Sequence, residues 1–394
     1  MSAKRNEKLK IGMLSFYYPH LGGSGIVTAR LAKHLSQDGH DVHFIGYDSD
    51  SNPKDMVAQG VKLHRVKRVD YPCLKSEPYV WSLASQATRV AEREGLDLLH
   101  ANYAVPHALS AYLAREALKT KGKHLPYVVT GHGSDIHTNG AKDEINPILR
   151  LALNGADALT YVSKDLQSIA KDVLGVDKDG RVIPNFVDTD IFAPGSTGLR
   201  NELDIPQDAF VVGHVSNFAP VKQTGDIADV ASNMRGANTL HNVYFLMVGD
   251  GEHRSVLERE VERRGLSGHF IFRGRRLSEE VVSSYRVMDS LILPSKHEGN
   301  PLTLLEAMAC ETPVVGYDVG GVSETIGAGG GFLVPNRDGA AMGSQLSKLK
   351  ADKALRERVG REARKNVMEK FSVSGVMSKY LDVFREVVER GAEN

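Results

Sequence analysis

The sequence predicts an α/β fold built from two doubly wound, parallel-sheet domains. Three observations predict it. At 394 residues the chain exceeds what one hydrophobic core usually serves. Short β-type runs alternate with longer helical patterns, the signature of βαβ units. The alternation then restarts after residue 205.

The first half opens on the strand candidate Leu9–Ser15 (LKIGMLS), followed by Asp41–Tyr47, Asp97–His100 and Tyr127–Gly131. Between the first two, Val27, Leu31 and Leu35 recur at four-residue spacing, as one face of a helix does. Leu83–Arg93 and Ala108–Leu118 read as helices on the same grounds. In the second half, Phe210–Val215, Tyr244–Val248, Leu291–Leu293 and Val314–Tyr317 read as strands of a second parallel sheet. Ile183–Pro194 (IPNFVDTDIFAP), proline at both ends and without periodicity, reads as a hinge. The expected division is 1–187 and 188–372. A closing helix at 373–394, apolar at Val376, Tyr380, Val383 and Val387, should pack back on the first domain. The charged stretch 349–370 reads as a solvated helical face.

Composition narrows the function. Hydrophobic residues make up 41% of the chain, enough for packed cores. Lys+Arg 49 balances Asp+Glu 49, so the broad basic footprint of a general nucleic-acid binder is missing. The apolar run Ile11–Leu14 is too short for a signal-peptide core, and no stretch is long enough for a membrane span. Cys73 and Cys310 make neither a zinc cluster nor a disulfide framework. A soluble, cytoplasmic protein is expected.

In open α/β sheets ligands bind beyond the carboxyl ends of the strands, so motifs at strand ends and an interdomain cleft carry the functional expectation. Gly22-Gly23-Ser24-Gly25 follows the first strand and opens a helix, where bare N–H groups favour an anion. It lacks the third glycine of the dinucleotide fingerprint, although Asp48 follows at a ribose-binding distance. Glu298-Gly299-Asn300-Pro301-Leu302 follows LILPS, with Asn300 expected as N-cap and Pro301 at the first helical position. Glu306 sits in an otherwise apolar run, where a carboxylate needs partners; a sugar diol offers two donors, a buried salt bridge the alternative.

Asn217-Phe218-Ala219-Pro220-Val221-Lys222 places a lysine where it can neutralise charge growing on a leaving diphosphate. Val248-Gly249-Asp250-Gly251 is a glycine turn at another strand end, structural or ligand-facing. Thr130-Gly131-His132-Gly133-Ser134-Asp135 sets a histidine between glycines, suited to a sugar hydroxyl or to proton transfer. His100 to His107 brings Tyr103 towards the same rim. Asp48-Ser49-Asp50 and Asp188-Thr189-Asp190 have the D-x-D form that can hold a divalent metal, but both lie far in sequence from the diphosphate motifs. No metal is expected.

The stretch SKHEGNPLTLLEAMACETPVV at 295–315 resembles the signature of glycosyltransferase family 4, with Glu298 and Glu306 as its paired glutamates. That resemblance implies the GT-B fold, two Rossmann-like domains facing a cleft, and a retaining hexosyltransferase. Within the family, GGSGI at 22–26, residues 83–114 and VSNFAPVK at 215–222 look most like N-acetylglucosaminyl L-malate synthases, which open bacillithiol synthesis using UDP-N-acetylglucosamine. The resemblance implies that Glu306 binds the donor ribose. Glu298 and the backbone of Gly299, Asn300, Pro301 and Leu302 would hold sugar and diphosphate. Gly22, Gly23 and Lys222 would neutralise the diphosphate, and Asn217, Gly249 and Gly251 would complete the donor site. His132 would contact the transferred sugar. Ser24, Tyr103, Thr130 and Arg150 would face the acceptor. The UDP-sugar is a substrate and no cofactor is implied.

The chain departs from the malate-synthase pattern at Gly299-Asn300-Pro301, Ala219, Gln223 and Glu311. Other UDP-sugars, other acceptors (sugar or polyol phosphates, lipid-linked sugars), and a GT-B nucleotide-sugar epimerase therefore stay open, as does a homo-oligomer.

Overall fold

In the computed structural model, residues 7–15, 22–47, 59–67, 69, 78–276, 279–327 and 329–393 are described. Asp48-Ser49-Asp50 and Cys73 lie outside them. The chain divides into two compact units, Met1–Pro184 with Val376–Asn394, and Asn185–Gly375. The division falls inside the expected hinge. The first unit's strands are β1 (Lys10–Leu14), β2 (Asp41–Tyr47), β3 (Lys62–Val66), β4 (Leu98–Asn102), β5 (Tyr127–Gly131), β6 (Ala158–Tyr161) and β7 (Gly180–Val182). They form one parallel sheet in the order β3-β2-β1-β4-β5-β6-β7. The second unit holds β8 (Phe210–Val215), β9 (Val243–Val248), β10 (Phe270–Gly274), β11 (Ser290–Leu293), β12 (Val314–Tyr317) and β13 (Gly331–Val334), ordered β10-β9-β8-β11-β12-β13.

Both sheets are doubly wound, with the strand order reversing at β1/β4 and at β8/β11. The central strands are buried along nearly their whole length because helices cover both faces. β4 and β5 are buried at every residue, as are β11 and β12. One core gathers Leu14, Leu99, Val129 and Leu159 beneath the helices Tyr79–Glu94 and Ala104–Lys119. The other gathers Val212, Phe245, Ile292 and Val315 beneath Asp226–Gly236 and Gly339–Ala351.

The closing helix Val373–Glu393 gives Tyr380 and Phe384 to the first unit, their rings 5.5 and 5.0 Å from that of His100. The charged stretch at 349–370 is two helices, the end of Gly339–Ala351 and Lys353–Lys370, broken at Asp352, whose carboxylate caps the second. Among the described residues no helix is long and apolar enough to cross a membrane.

Candidate active site

β8 and β11 are neighbours at the reversal of the second sheet, so the loops leaving their carboxyl ends lie side by side. The β8 loop runs through Asn217 to a short 3₁₀ turn at Pro220–Lys222; the β11 loop runs through Glu298 into the helix Leu302–Ala309. Lys296 N–H donates to Val221 O at 2.8 Å, and Gln223 Nε2 to Pro294 O at 3.3 Å, tying the loops together. Lys222 Nζ thereby meets Glu298 Oε1 at 2.6 Å, 76 residues away in sequence. Both side chains are largely shielded, which strengthens the attraction. The buried Ser295 Oγ, Gln223 Oε1 and Thr224 Oγ1 on these loops have no hydrogen-bond partner among the described residues.

Asn300 is not the helix cap. Its Oδ1 accepts from Asn185 N–H at 2.8 Å, its carbonyl from Asn185 Nδ2 at 2.6 Å, and its Nδ2 donates to Thr325 Oγ1 at 2.7 Å. The cap position falls one residue later, at Pro301, and no side chain caps the helix. The first-turn N–H groups therefore keep their partial positive charge, at the end that follows Gly299 and Asn300. Glu306 is buried further along the same helix, and Tyr285 Oη donates to its Oε2 at 2.9 Å. One buried partner is thus a phenol from the helix Glu279–Val287. No motif marks Tyr285; only the need of a buried carboxylate for donors pointed to a partner.

Gly249 and Gly251 are glycines for a reason internal to the fold. A Cβ on Gly249 would lie 1.7 Å from Ser216 O, and one on Gly251 1.9 Å from Asn217 O. The turn after β9 is thus pressed against the β8 loop and supports it, while Asn217 is itself exposed. Asp188 of the hinge turns its Oδ1 to the amides of Asp190 and Ile191, 3.0 and 3.3 Å away, a turn-capping role.

In the first unit, Gly22 has φ +87° and precedes the helix Gly23–Gln37, which has no side-chain cap. Ser24 is half-buried at its start. Tyr103 follows β4 with φ +70°, and its hydroxyl lies 2.5 Å from Ser134 Oγ. Asp135 organises the β5 loop: it accepts from the amides of Ala104 (2.6 Å), Gly133 (2.7 Å) and His132 (3.1 Å). Burial pushes its carboxyl up to about 6, and those amides offset part of the effect. Burial pushes His132 down to about 3, with His107 adding to it, so its imidazole is neutral. Its Nε2 lies 3.4 Å from Asn102 Oδ1, and its buried Nδ1 has no partner among the described residues.

Thr130 and Arg150 were also expected at the acceptor. Thr130 is fully buried, its hydroxyl 2.7 Å from His100 Nε2 and 2.7 Å from Thr160 Oγ1. Arg150 is exposed on the helix Asn146–Gly155, its guanidinium at Gly175 beyond the helix Lys164–Asp172; that loop leads to the edge strand β7, not to the β1/β4 reversal.

Among the described residues one cluster of metal-type ligands stands out, His43, His64 and Glu94, with ligand atoms within 4.8 Å of one another. Its two histidines form a hydrogen-bonded pair. His43 Nδ1 and His64 Nε2 are 2.9 Å apart, the rings 10° from parallel with centroids 5.1 Å apart, about as far as head-on nitrogens allow. Arg93 donates to His64 Nδ1 at 3.1 Å, so the neutral ring carries its proton on Nε2, facing His43. Nitrogens facing along one line share a proton; ligands of one ion converge at an angle.

Two Rossmann-like parallel sheets with a lysine–glutamate pair and an uncapped helix at a reversal point define a GT-B glycosyltransferase. Residues 21–191 match the family model Glycosyltransferase Family 4, and residues 196–366 match Glycosyl transferases group 1. The chain is 33% identical to N-acetyl-alpha-D-glucosaminyl L-malate synthase of Bacillus anthracis, over 97% of this chain and 98% of that protein. It is 28% identical to 2-deoxystreptamine N-acetyl-D-glucosaminyltransferase of Streptomyces fradiae, over 82% and 81%. Among solved structures, sucrose-phosphate synthase of Thermosynechococcus elongatus superposes with a TM-score of 0.82 at 20% identity, over 97% and 100% of the two chains. Anabaena HepE in complex with UDP and glucose gives 0.75 at 21%, over 95% and 99%. The chain belongs to glycosyltransferase family 4.

Proposed function

We propose that the protein is a retaining, metal-independent transferase that moves N-acetylglucosamine from UDP-N-acetylglucosamine to the hydroxyl of L-malate. The Lys222–Glu298 pair at the β8/β11 reversal carries this reading. The likeness to the Bacillus anthracis synthase supports the choice of donor and acceptor. The second unit would hold the nucleotide sugar, Glu306 on the ribose and the Leu302–Ala309 helix N-terminus on the diphosphate. In the first unit, Gly22, Gly23, Ser24, Tyr103 and His132 are the candidate ligands for diphosphate, acceptor and sugar.

In this mechanism the bond from the sugar C1 to the diphosphate oxygen breaks while the acceptor oxygen bonds to C1 on the same face. The acceptor proton passes to the leaving diphosphate. Lys222, released from Glu298, and the helix N-terminus stabilise the charge that grows there, a task a divalent metal would otherwise perform. His132, neutral at physiological pH, takes no part as an imidazolium acid.

A UDP-release screen of the purified chain against a grid of donors and acceptors tests the reading. L-malate with UDP-N-acetylglucosamine should give the highest rate, with the α-linked product and no loss in EDTA. A polyol phosphate giving the highest rate would replace the acceptor, and epimerised sugar without any acceptor would replace the reaction class. Loss in EDTA restored by magnesium would overturn metal independence.

A further inference from the structure

Tyr285 is fully buried, and both its ring and its backbone have defined contacts. Phe192 meets it edge-on at 6.1 Å, and Thr312 Oγ1 donates to its backbone carbonyl at 3.1 Å. Its neighbour Arg286 donates from Nε to Ala193 O at 2.8 Å, anchoring the same turn of helix. The phenol oxygen is therefore a fixed point, and it sits 2.9 Å from Glu306 Oε2. Glu306 is a long side chain with three torsions, 7% exposed, in a helix otherwise apolar from Leu304 to Ala309. A carboxylate so placed is oriented by the donors that reach it.

We infer that Tyr285 is a positioning residue that aims Glu306 at the ribose diol of a uridine nucleotide, so that preference for a ribose over a deoxyribose depends on a hydroxyl that never touches the nucleotide. This rests on the reading that Glu306 binds the ribose. The geometry supplies the coupling: Tyr285 Oη donates into one carboxylate oxygen at 2.9 Å and restricts how the carboxylate can turn. A diol needs both its hydroxyls directed into the carboxylate plane at once, and such charge-assisted hydrogen bonds weaken steeply with misalignment.

The test compares Tyr285→Phe with the wild-type chain by calorimetry, using UDP and 2′,3′-dideoxy-UDP. Phenylalanine keeps the ring and removes one oxygen, and thermal melting checks that the variant is folded. The wild type should bind UDP at least about tenfold more tightly than the dideoxy nucleotide. In Tyr285→Phe that ratio should fall towards one, while the dideoxy affinity stays within about twofold of wild type. A purely structural role would weaken both nucleotides together, and that result, or an unchanged ratio, overturns the inference. Should Tyr285→Phe not fold, Thr312→Val, which loosens the carbonyl of Tyr285, must lower the same ratio; an unchanged ratio there overturns it equally. A wild-type chain that binds UDP without preferring the ribose removes the underlying reading of Glu306 instead.

Discussion

Lys222 Nζ donates to Glu298 Oε1 across 2.6 Å, joining the ends of two strands that are neighbours only because the sheet reverses between them. The pair is charge-neutral and largely shielded, with side chains 20% and 9% exposed. On the proposed function, an arriving diphosphate would compete for the lysine, and the released carboxylate would take sugar hydroxyls as its new donors. Lys222→Ala should lower turnover by about 10²–10³-fold, the usual cost of removing one stabiliser of transition-state charge. Asp250→Asn is the comparison: Asp250 is exposed, bonded to Gly251 N–H at 2.9 Å, with Arg254 3.8 Å away. Steady-state UDP release should leave that variant near wild type. Equal turnover of the two variants would remove Lys222 from the chemistry.

Positions 249 and 251 should prove intolerant of any side chain. Alanine at 249 would bring its Cβ to 1.7 Å from Ser216 O, on a backbone with φ +125°. Relief requires moving the β8 loop, which carries Asn217 and Lys222. Gly249→Ala should therefore weaken UDP affinity by about tenfold or more, at a stability cost of about 1–3 kcal/mol from strain. Gly225→Ala is the control, with nothing within 4 Å of its Cβ and φ −58°. It should leave affinity unchanged and melt at the same or a slightly higher temperature. Calorimetry and thermal melting on the two variants check this, and equal behaviour would show that the turn does not support the loop.

How legible all this was in the sequence depended on burial. β2, β5, β8 and β12 have the residue limits their apolar runs predict, because strands covered on both faces are read directly from composition. β3 and β7 escaped at one sheet's edges: β3 carries Lys62, His64 and Arg65 beside only two apolar residues, and β7 is three residues long. At the site, Lys222 and Glu298 were visible because each closes a strand-to-loop transition. Asn300 was misread because its amide finds Asn185, 115 residues back, more favourable than its own helix. Thr130 was expected at the acceptor from the resemblance; it is fully buried, its hydroxyl held between His100 and Thr160. Tyr285 carried no signal, since its partner Glu306 lies on another helix, 21 residues on.

Acid should unfold the first unit before the second. Burial pushes His100 down to about 3, His107 to about 4 and His132 to about 3, all in the first unit; in the second unit His214 is pushed down to about 4. Each lowered histidine binds fewer protons folded than unfolded between about pH 6.5 and its folded value, so stability falls as pH drops through that window. Asp135 acts oppositely: raised to about 6, it binds more protons folded than unfolded between its ordinary value of 3.8 and 6, favouring the folded state on acidification. His64, also pushed down to about 4, and the lowered His40 and His43 join these three in the first unit, and six histidines outweigh one aspartate. Hydrogen exchange at pH 7.5 and pH 5 should show protection lost first in β4 and β5. Loss in β8 and β11 first would contradict this balance.

The histidine of the β5 loop should carry its single proton on Nε2. Asn102 Nδ2 donates to His100 Nδ1 at 3.2 Å, which leaves the His100 proton on Nε2, directed at Thr130 Oγ1 at 2.7 Å. With its amide nitrogen committed, Asn102 turns Oδ1 towards His132, and only a protonated Nε2 can answer an acceptor there, 3.4 Å away. The buried Nδ1 of His132 is then the lone pair. Nitrogen-15 NMR of the histidine-labelled chain should show a neutral His132 with the Nε2 tautomer at pH 7, persisting to about pH 4, since its folded value is about 3. Asn102→Ala removes the acceptor and should mix the two tautomers, lowering turnover by about tenfold, in line with the loss of one orienting hydrogen bond. A single Nδ1 tautomer in the wild-type chain, or an unmixed Nε2 tautomer in Asn102→Ala, would mean that Asn102 does not set the orientation of His132.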